Sequence, residues 1–202
     1  GARRILTNGT RRRPTGTRMT AAALTHEATD AQLIARWQSG EQRAAALLVE
    51  RHARPLARFA ASLGVRDDVD ELVQDTFVRA FSSLDSFRAD SSLRTWLFTI
   101  LKRLYLDRRR AERRRRDIAE VDERDAATEY DALDVMVGDE MARKVQEAVN
   151  RLTALQREVF SLRVNDGMAY SEIAQVVGST EGSCRVHYHN AVKAIREYLT
   201  DD

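Results

Sequence analysis

The chain has 202 residues, of which 43% are hydrophobic and 6% aromatic, and its formal net charge is +2. That length allows one or two compact domains with aliphatic cores. No apolar run is long enough to cross a bilayer, nothing resembles a secretory signal, and the single Cys184 cannot form an internal disulfide. We therefore expect a cytoplasmic protein without membrane insertion.

The small net charge hides segregated blocks of opposite sign. Residues 1–18 contain six arginines and no acid. We interpret residues 1–28 as a disordered leader or added extension, with a basic arm that touches DNA as the alternative. Residues 94–116 have a net charge of +8 (ten Lys or Arg, two acids), whereas residues 117–141 have a net of −9 (ten acids, one Arg). Because this acidic block starts without a regular apolar pattern, residues 117–138 are predicted to be a flexible linker.

The chain shows almost no strand signal, and helical patterns begin near residue 30. The first helix is predicted to start at Thr29 or Asp30, either of which can cap it, and to end near Gly40. The second covers residues 41–63, where Pro55 is expected to kink or split it. These patterns favour an all-α fold.

The next two helices have contrasting outer faces. Over residues 69–84 apolar side chains recur at i, i+3, i+4, i+7 and i+8, and the outer face is mostly acidic. A polar loop (85–92) leads to a helix whose apolar face begins at Leu93. Its phase directs these side chains away from that face: Thr95, Phe98, Thr99, Lys102, Arg103 and Arg109. From Arg108 onward no apolar face remains, so this arginine-rich end should project into solvent or onto a polyanion.

The C-terminal segment predicts four helices, over residues 141–152, 155–164, 171–177 and 180–199. The third should end at Gly178 in the left-handed conformation, and a threonine should cap the fourth. A short helix, a turn and a longer helix form the helix-turn-helix pattern, whose second helix enters the major groove of DNA.

The last helix has a buried and a reading face. At 100° per residue, Cys184, Tyr188, Ala191 and Ile195 cluster on the side that must be buried. The candidate DNA-reading side chains are Arg185, Val186, His189, Asn190 and Lys193. Arginine pairs with guanine, asparagine with adenine and valine with the thymine methyl, whereas the lysine suits a phosphate. This helix is only weakly basic, so alone it should bind DNA poorly.

Catalytic and metal-binding functions are disfavoured. Cys184, His187 and His189 are close in sequence, but a zinc site needs four ligands and no second Cys/His pair lies nearby. The chain has no Gly-rich phosphate loop and no GxSxG motif. We expect no enzyme activity, no metal and no cofactor.

Two stretches resemble a known family. The first is Asp70-Glu-Leu-Val-Gln-Asp-Thr-Phe-Val-Arg-Ala-Phe81, followed by Leu84-Asp-Ser-Phe-Arg-Ala-Asp-Ser-Ser-Leu-Arg-Thr-Trp-Leu97. It resembles region 2 of bacterial RNA polymerase sigma factors, above all the extracytoplasmic-function (ECF) group. Leu155-Gln-Arg-Glu-Val-Phe160, Tyr170-Ser-Glu-Ile-Ala174 and Gly182-Ser-Cys-Arg185 are similar to region 4 of that group.

The resemblance implies two small helical domains joined by the acidic linker. Residues 29–116 would form the region 2 domain and residues 139–202 a four-helix region 4 domain containing the helix-turn-helix. The protein would bind core RNA polymerase, promoter DNA and an anti-sigma factor. On the polymerase it would contact the clamp helices of the largest subunit and the flap of the second-largest subunit.

The resemblance also assigns roles to particular residues. Region 4 would read the minus-thirty-five element. The clamp helices would be bound by Glu71, Gln74 and Asp75. A flipped base of the melted minus-ten element and its backbone would be held by Ser86, Phe87, Arg88, Asp90, Ser91, Phe98, Lys102, Arg103 and Arg109. Base capture must return the few kcal/mol that unstacking costs.

Two other classes of protein remain as alternatives. A stand-alone helix-turn-helix repressor or activator would need tight DNA binding by itself, which the weak charge of the last helix opposes. A purely structural helical adaptor would leave the arginine-rich helix end unexplained.

Overall fold

The computed structural model describes residues 28–119 and 140–200. Over those ranges the chain forms eight α-helices and no strand, which confirms the all-α prediction. The helices are α1 (Asp30–Gln38), α2 (Gln42–Ser62), α3 (Val69–Ser82), α4 (Leu93–Ala119), α5 (Glu140–Asn150), α6 (Ala154–Val164), α7 (Tyr170–Val177) and α8 (Glu181–Thr200). The predicted leader up to residue 27 and the predicted linker from residue 120 to 138 lie outside the described residues.

Helix α1 begins as the sequence predicts. Thr29 is its N-cap, and its side chain accepts from the Gln32 N–H while the Gln32 side chain accepts from the Thr29 N–H. This reciprocal capping box satisfies two amide groups that would otherwise lack partners. After α1, Arg36 pairs with Glu41 at 2.6 Å across the turn at Gly40.

Pro55 was expected to kink or split the second helix, and it does not split it. Helix α2 runs from Gln42 to Ser62 as one element with Pro55 inside it. The residues that follow the proline, Leu56, Phe59 and Ala60, are fully buried. Burial of a large apolar side chain such as Leu56 or Phe59 stabilises the folded state by roughly 1.5–3 kcal/mol. This burial therefore offsets the cost of the backbone hydrogen bond that Pro55 removes from the helix.

Helices α3 and α4 pack against each other. The apolar stripe of α3 includes the buried Leu72 and Phe77, and α4 contributes the buried Leu97 and Leu101. Helix α4 extends to Ala119, three residues past the predicted domain end at residue 116. Residues 112–116 are exposed, as expected for a helix end without an apolar face.

Helices α5 to α8 form the predicted four-helix unit. Gly178 ends α7 with a φ of 71°, a left-handed conformation that glycine adopts without strain. The Thr180 side chain accepts from the Ser183 N–H at the start of α8. The core of this unit includes Val159, Leu162 and Ile173, none of which is exposed.

Candidate nucleic-acid and polymerase interfaces

Helix α8 presents its predicted reading face to solvent. On the opposite side, Cys184 and Ala191 are almost fully buried and Ile195 is 8% exposed. Tyr188 is half-buried and stacks at 6.3 Å on Phe160 of α6. The exposed residues include all five candidate readers, Arg185, Val186, His189, Asn190 and Lys193. The predicted phase of this helix is therefore confirmed.

Two of the candidate readers are held by weak local contacts. Arg185 Nη2 lies 3.1 Å from Glu181 Oε2, and its guanidinium lies 5.2 Å from the centre of the Tyr170 ring. Lys193 Nζ lies 3.7 Å from a carboxylate oxygen of Glu197. Exposed ion pairs of this kind contribute about 0–1 kcal/mol each, so a phosphate or base edge can displace them at little cost.

The polar loop before α4 has one anchored and several projecting side chains. It starts with a 3-10 turn at Leu84–Ser86, and the Phe87 ring packs at 5.0 Å on Trp96 of α4. Ala89 takes a left-handed φ of 58°, uncommon for a residue with a side chain. The surrounding side chains of Ser86, Arg88 and Asp90 are exposed, and Ser91 is half-buried. The loop is thus held by the Phe87–Trp96 contact and by hydrogen bonds of Ser92 to Thr95 and Glu172, and its exposed polar side chains face solvent.

The polar face of α4 is more buried than its sequence phase predicts. Thr95 is 1% exposed and Phe98 is fully buried, although both were expected to point away from the apolar face. Phe98 packs at 5.2 Å on Phe59 of α2, and α7 packs along this part of α4. The expectation is wrong for these two residues because the helix is covered on more than one side. Arg103 and Arg109 are exposed, as predicted.

Three acidic side chains of the C-terminal unit cover this face. Lys102 Nζ lies 2.5 Å from Oε1 of Glu158 in α6, and the lysine side chain is only 12% exposed. Arg94 Nη2 lies 2.6 Å from Oδ1 of Asp166, in the turn between α6 and α7. Glu172 of α7 accepts from the Thr95 hydroxyl at 2.9 Å. Sequence reasoning missed all three acids.

The surroundings of Asp166 and of Glu172 shift the pKa values of these two acids in opposite directions. Burial raises the pKa of Asp166 above its ordinary range, although Arg94 and Arg58 oppose the shift. Burial also acts to raise the pKa of Glu172. It is outweighed by donors from the Ala169 N–H and from the hydroxyls of Thr95 and Ser92, so that pKa lies below its ordinary range. The charged form of Asp166 therefore carries a desolvation cost, whereas hydrogen-bond donors stabilise the charged form of Glu172.

A second surface lies on α3. Glu71, Gln74 and Asp75 are exposed along one side of this helix. Val78, one further turn along the same side, is 62% exposed and was missed as a site residue, although its i+7 spacing from Glu71 could have shown it. Arg108 of α4 reaches back to pair with Glu71 at 3.0 Å and with Asp75. This side of α3 therefore combines acids with an exposed apolar side chain.

Family comparison identifies the class of protein that these two surfaces belong to. Residues 48–115 match sigma-70 region 2, and residues 142–195 match sigma-70 region 4. The chain is 36% identical over 167 residues to the RNA polymerase sigma factor NccH of Alcaligenes xylosoxydans xylosoxydans, covering 78% of this chain and 87% of that protein. The chain is thus an RNA polymerase sigma factor, a regulatory subunit that directs transcription initiation.

A further relative narrows the family assignment of the chain. It is 31% identical over 181 residues to the ECF RNA polymerase sigma-E factor of Escherichia coli (strain K12), covering 85% of this chain and 95% of that protein. The chain belongs to the ECF group of the sigma-70 family. A stand-alone repressor or activator is not favoured.

Two solved structures have the same fold. One is the sigma factor RpoE in complex with the anti-sigma factor NepR from Bartonella quintana, with a TM-score of 0.64 and 28% identity over 77% of this chain and 96% of that chain. The other is CnrH in complex with the cytosolic domain of CnrY, with a TM-score of 0.60 and 34% identity over 86% of this chain and 98% of that chain. Over residues 28–119 and 140–200, no helix is both long and apolar enough to cross a bilayer.

Proposed function

We propose that this sigma factor divides promoter recognition between two helices of separate domains. Helix α8 would read the minus-thirty-five element in the major groove. The loop before α4, through Ser86, Phe87, Arg88, Asp90 and Ser91, would capture a base of the melted minus-ten element. Lys102, Arg103 and Arg109 of α4 would support that base and its backbone, whereas the buried Phe98 would pack beneath them. The observation that carries this proposal is the exposure of all five candidate readers of α8 on the side opposite its buried seam.

The exposed side of α3 is the proposed docking surface for core polymerase. Glu71, Gln74 and Asp75 would meet basic side chains of the clamp helices, and Val78 would add apolar contact at the C-terminal end of that row. Interfaces commonly combine a charged rim, which guides association, with an apolar centre, which contributes binding energy. Arg108 would keep the two carboxylates oriented before polymerase arrives. The region 4 unit would contact the flap of the second-largest subunit.

Transcription in vitro with core polymerase tests this docking surface. We expect Asp75→Lys to reduce promoter-directed transcripts at least about tenfold, because one reversed charge at an interface commonly costs more than 1.4 kcal/mol. The matched control is Asp67→Lys, which reverses an exposed acid in the turn before α3. Equal activity of the two variants at limiting sigma concentration would contradict the proposed surface.

The partners and setting of the protein follow as proposals from the same comparison. Its fold matches a sigma factor solved with an anti-sigma factor, so we expect an anti-sigma partner that engages both domains. Transcription takes place in the cytoplasm of bacteria, and we place the protein there. Purification of the full chain from bacterial cytosol, followed by identification of an anti-sigma protein bound to it, checks both expectations.

A further inference from the structure

We propose that Tyr170 is a positioning residue for DNA reading, whose ring limits the guanidinium of Arg185 to the conformations from which it reads a base. This inference deepens the proposed function and rests on the proposed role of α8 in reading the minus-thirty-five element. Tyr170 is the first residue of α7, and Arg185 lies in the second turn of α8. The guanidinium carbon of Arg185 lies 5.2 Å from the centre of the Tyr170 ring.

The Tyr170 ring is itself held by contacts with α6 and α8. The rings of Tyr170 and Tyr188 meet edge to face, with their centres 6.1 Å apart and their planes at 66°. Arg163, near the end of α6, has its guanidinium carbon 4.9 Å from the centre of the Tyr170 ring. Arg163 Nη1 also donates to the backbone carbonyl of the buried Met168 at 2.7 Å. The ring is therefore a fixed support rather than a mobile surface side chain.

An aromatic ring can restrain a guanidinium without occupying its hydrogen-bond donors. The ring attracts the cation through its π electrons. The N–H groups of arginine form a planar fork that binds a guanine edge through two hydrogen bonds. Contact with the Tyr170 ring can therefore persist while the fork of Arg185 binds a base. The 3.1 Å ion pair with Glu181 differs, because it uses one of these donors and competes with the base.

The two cationic readers, Arg185 and Lys193, differ in how they are held. Lys193 Nζ lies 3.7 Å from a carboxylate oxygen of Glu197 in an exposed ion pair. A lysine suits a phosphate, for which a flexible point charge is sufficient. Base reading by Arg185 instead requires a defined direction, because hydrogen bonds weaken steeply as their angle departs from linearity. A side chain ordered before binding also loses less conformational entropy on the DNA.

The core of α7 does not depend on the Tyr170 ring. Ile173, Ala174 and Val176 supply the buried side chains of this helix, whereas Tyr170 is half-buried. A leucine at position 170 can keep much of the apolar contact, but only an aromatic ring attracts the guanidinium. Packing and positioning by Tyr170 can therefore be separated by substitution.

Holoenzyme initiation on a promoter and on its single-base variants in the minus-thirty-five element tests the inference in the full chain. Arg185→Ala first identifies the base pair at which the preference depends on Arg185. Tyr170→Leu removes the ring, and Tyr170→Phe keeps the ring without its hydroxyl. Each preference is a ratio between two promoters measured with the same protein, so any difference in the folded fraction cancels.

We expect Tyr170→Leu to weaken the preference at the base pair of Arg185 about two- to fivefold, the change that corresponds to loss of an exposed cation–π contact. Preferences at the other base pairs should not change, and Tyr170→Phe should retain the preference of the parent protein. Combined with Arg185→Ala, Tyr170→Leu should change no preference, because the group that the ring positions is absent.

Tyr198→Leu is the matched control. Tyr198 lies near the end of α8, beyond the candidate readers, and the guanidinium carbon of Arg151 lies 4.4 Å from the centre of its ring. The control therefore removes a half-buried ring that contacts an arginine in the same domain. It should leave every base preference unchanged, whatever its effect on stability.

The mobility of the Arg185 side chain provides a direct second measurement in the free protein. Nuclear magnetic resonance relaxation of the Arg185 Nε–H group gives an order parameter for its fast motion. We expect this order parameter to fall in Tyr170→Leu and to stay at the parent value in Tyr170→Phe. An unchanged value in Tyr170→Leu would show that the ring does not restrain Arg185.

Three further results would overturn the inference. The first is a loss in Tyr170→Leu that is uniform over all base pairs. The second is an equal loss in Tyr170→Phe, which would assign the effect to the hydroxyl. The third is a loss that persists in the Arg185→Ala background. Failure of the proposed function is read separately: Arg185→Ala would then alter no preference, and the inference would fall with it. If Arg185→Ala alters a preference and Tyr170→Leu does not, the inference alone fails.

Discussion

Helices α4 and α8 each carry a polar face suited to nucleic acid, yet the structure treats the two faces in opposite ways. On α8 the candidate readers lie in solvent, and the strongest contacts they make are exposed ion pairs. On α4, Lys102 is nearly buried beneath Glu158, and Phe98 is sealed against Phe59. Side chains of similar chemistry are thus ready to bind in one domain and occupied in the other.

The difference teaches that exposure and chemical suitability are separate properties of a binding residue. A residue of the α8 face is exposed, so its substitution should change promoter selectivity with little effect on stability. A residue of the covered α4 face contributes to packing and is also proposed to bind DNA, so its substitution should change stability and function together. Substitutions on the covered α4 face should therefore change stability more than promoter selectivity. Substitutions on the exposed α8 face should change promoter selectivity more than stability.

The largest expected effect is on stability and comes from the covered face. Phe98→Ala should lower the free energy of unfolding by about 3–5 kcal/mol, since it removes a fully buried ring in contact with Phe59. Val186→Ala, on the exposed face, should change it by no more than about 0.5 kcal/mol. Urea denaturation followed by circular dichroism measures both. Equal losses in the two variants would remove the contrast between the helices.

A smaller effect is expected on promoter selectivity and comes from the exposed face. Arg185→Ala should cost about 1–3 kcal/mol of discrimination at one base pair of the minus-thirty-five element, the usual value of a bidentate arginine contact. Arg143→Ala removes an exposed arginine from α5 and serves as the matched control. Holoenzyme initiation on a set of single-base promoter variants provides the measurement. A uniform loss across all promoter variants would instead assign Arg185 to a phosphate.

The smallest expected effect is a pH dependence of the covered interface. Because the pKa of Asp166 is raised by burial, the folded protein keeps a proton at pH values where the unfolded chain has lost it. This group therefore adds stability as the pH falls through its folded-state pKa towards the ordinary aspartate value of about 3.9. At neutral pH that contribution is absent.

Asp166→Asn isolates this contribution, because asparagine stays neutral. The stability advantage of the variant over the parent protein should be largest near neutral pH and should shrink as the pH is lowered. Thermal denaturation at a series of pH values measures it, with the exposed Asp67→Asn as a control whose difference stays constant. An advantage that grows on acidification would show that the charge of Asp166 is stabilised rather than penalised.

Much of each domain could be predicted from local signals. The capping threonines Thr29 and Thr180, the left-handed Gly178 and the phase of Cys184, Ala191 and Ile195 all follow from rules that act within one or two helical turns. Of the predicted kink or split at Pro55, the split does not occur, because the local loss of a hydrogen bond is outweighed by burial of Leu56 and Phe59.

By itself the sequence determined the helices of this sigma factor and most of their apolar faces, and it supplied the candidate residues that are proposed to bind DNA and polymerase. Only the tertiary structure decided that Thr95 and Phe98 are buried and that Glu158, Asp166 and Glu172 cover α4. The physical reason is separation along the chain. The polar contacts across this interface join residues 56 to 108 positions apart. Periodicity and spacing carry no information about which distant acid pairs with which basic side chain.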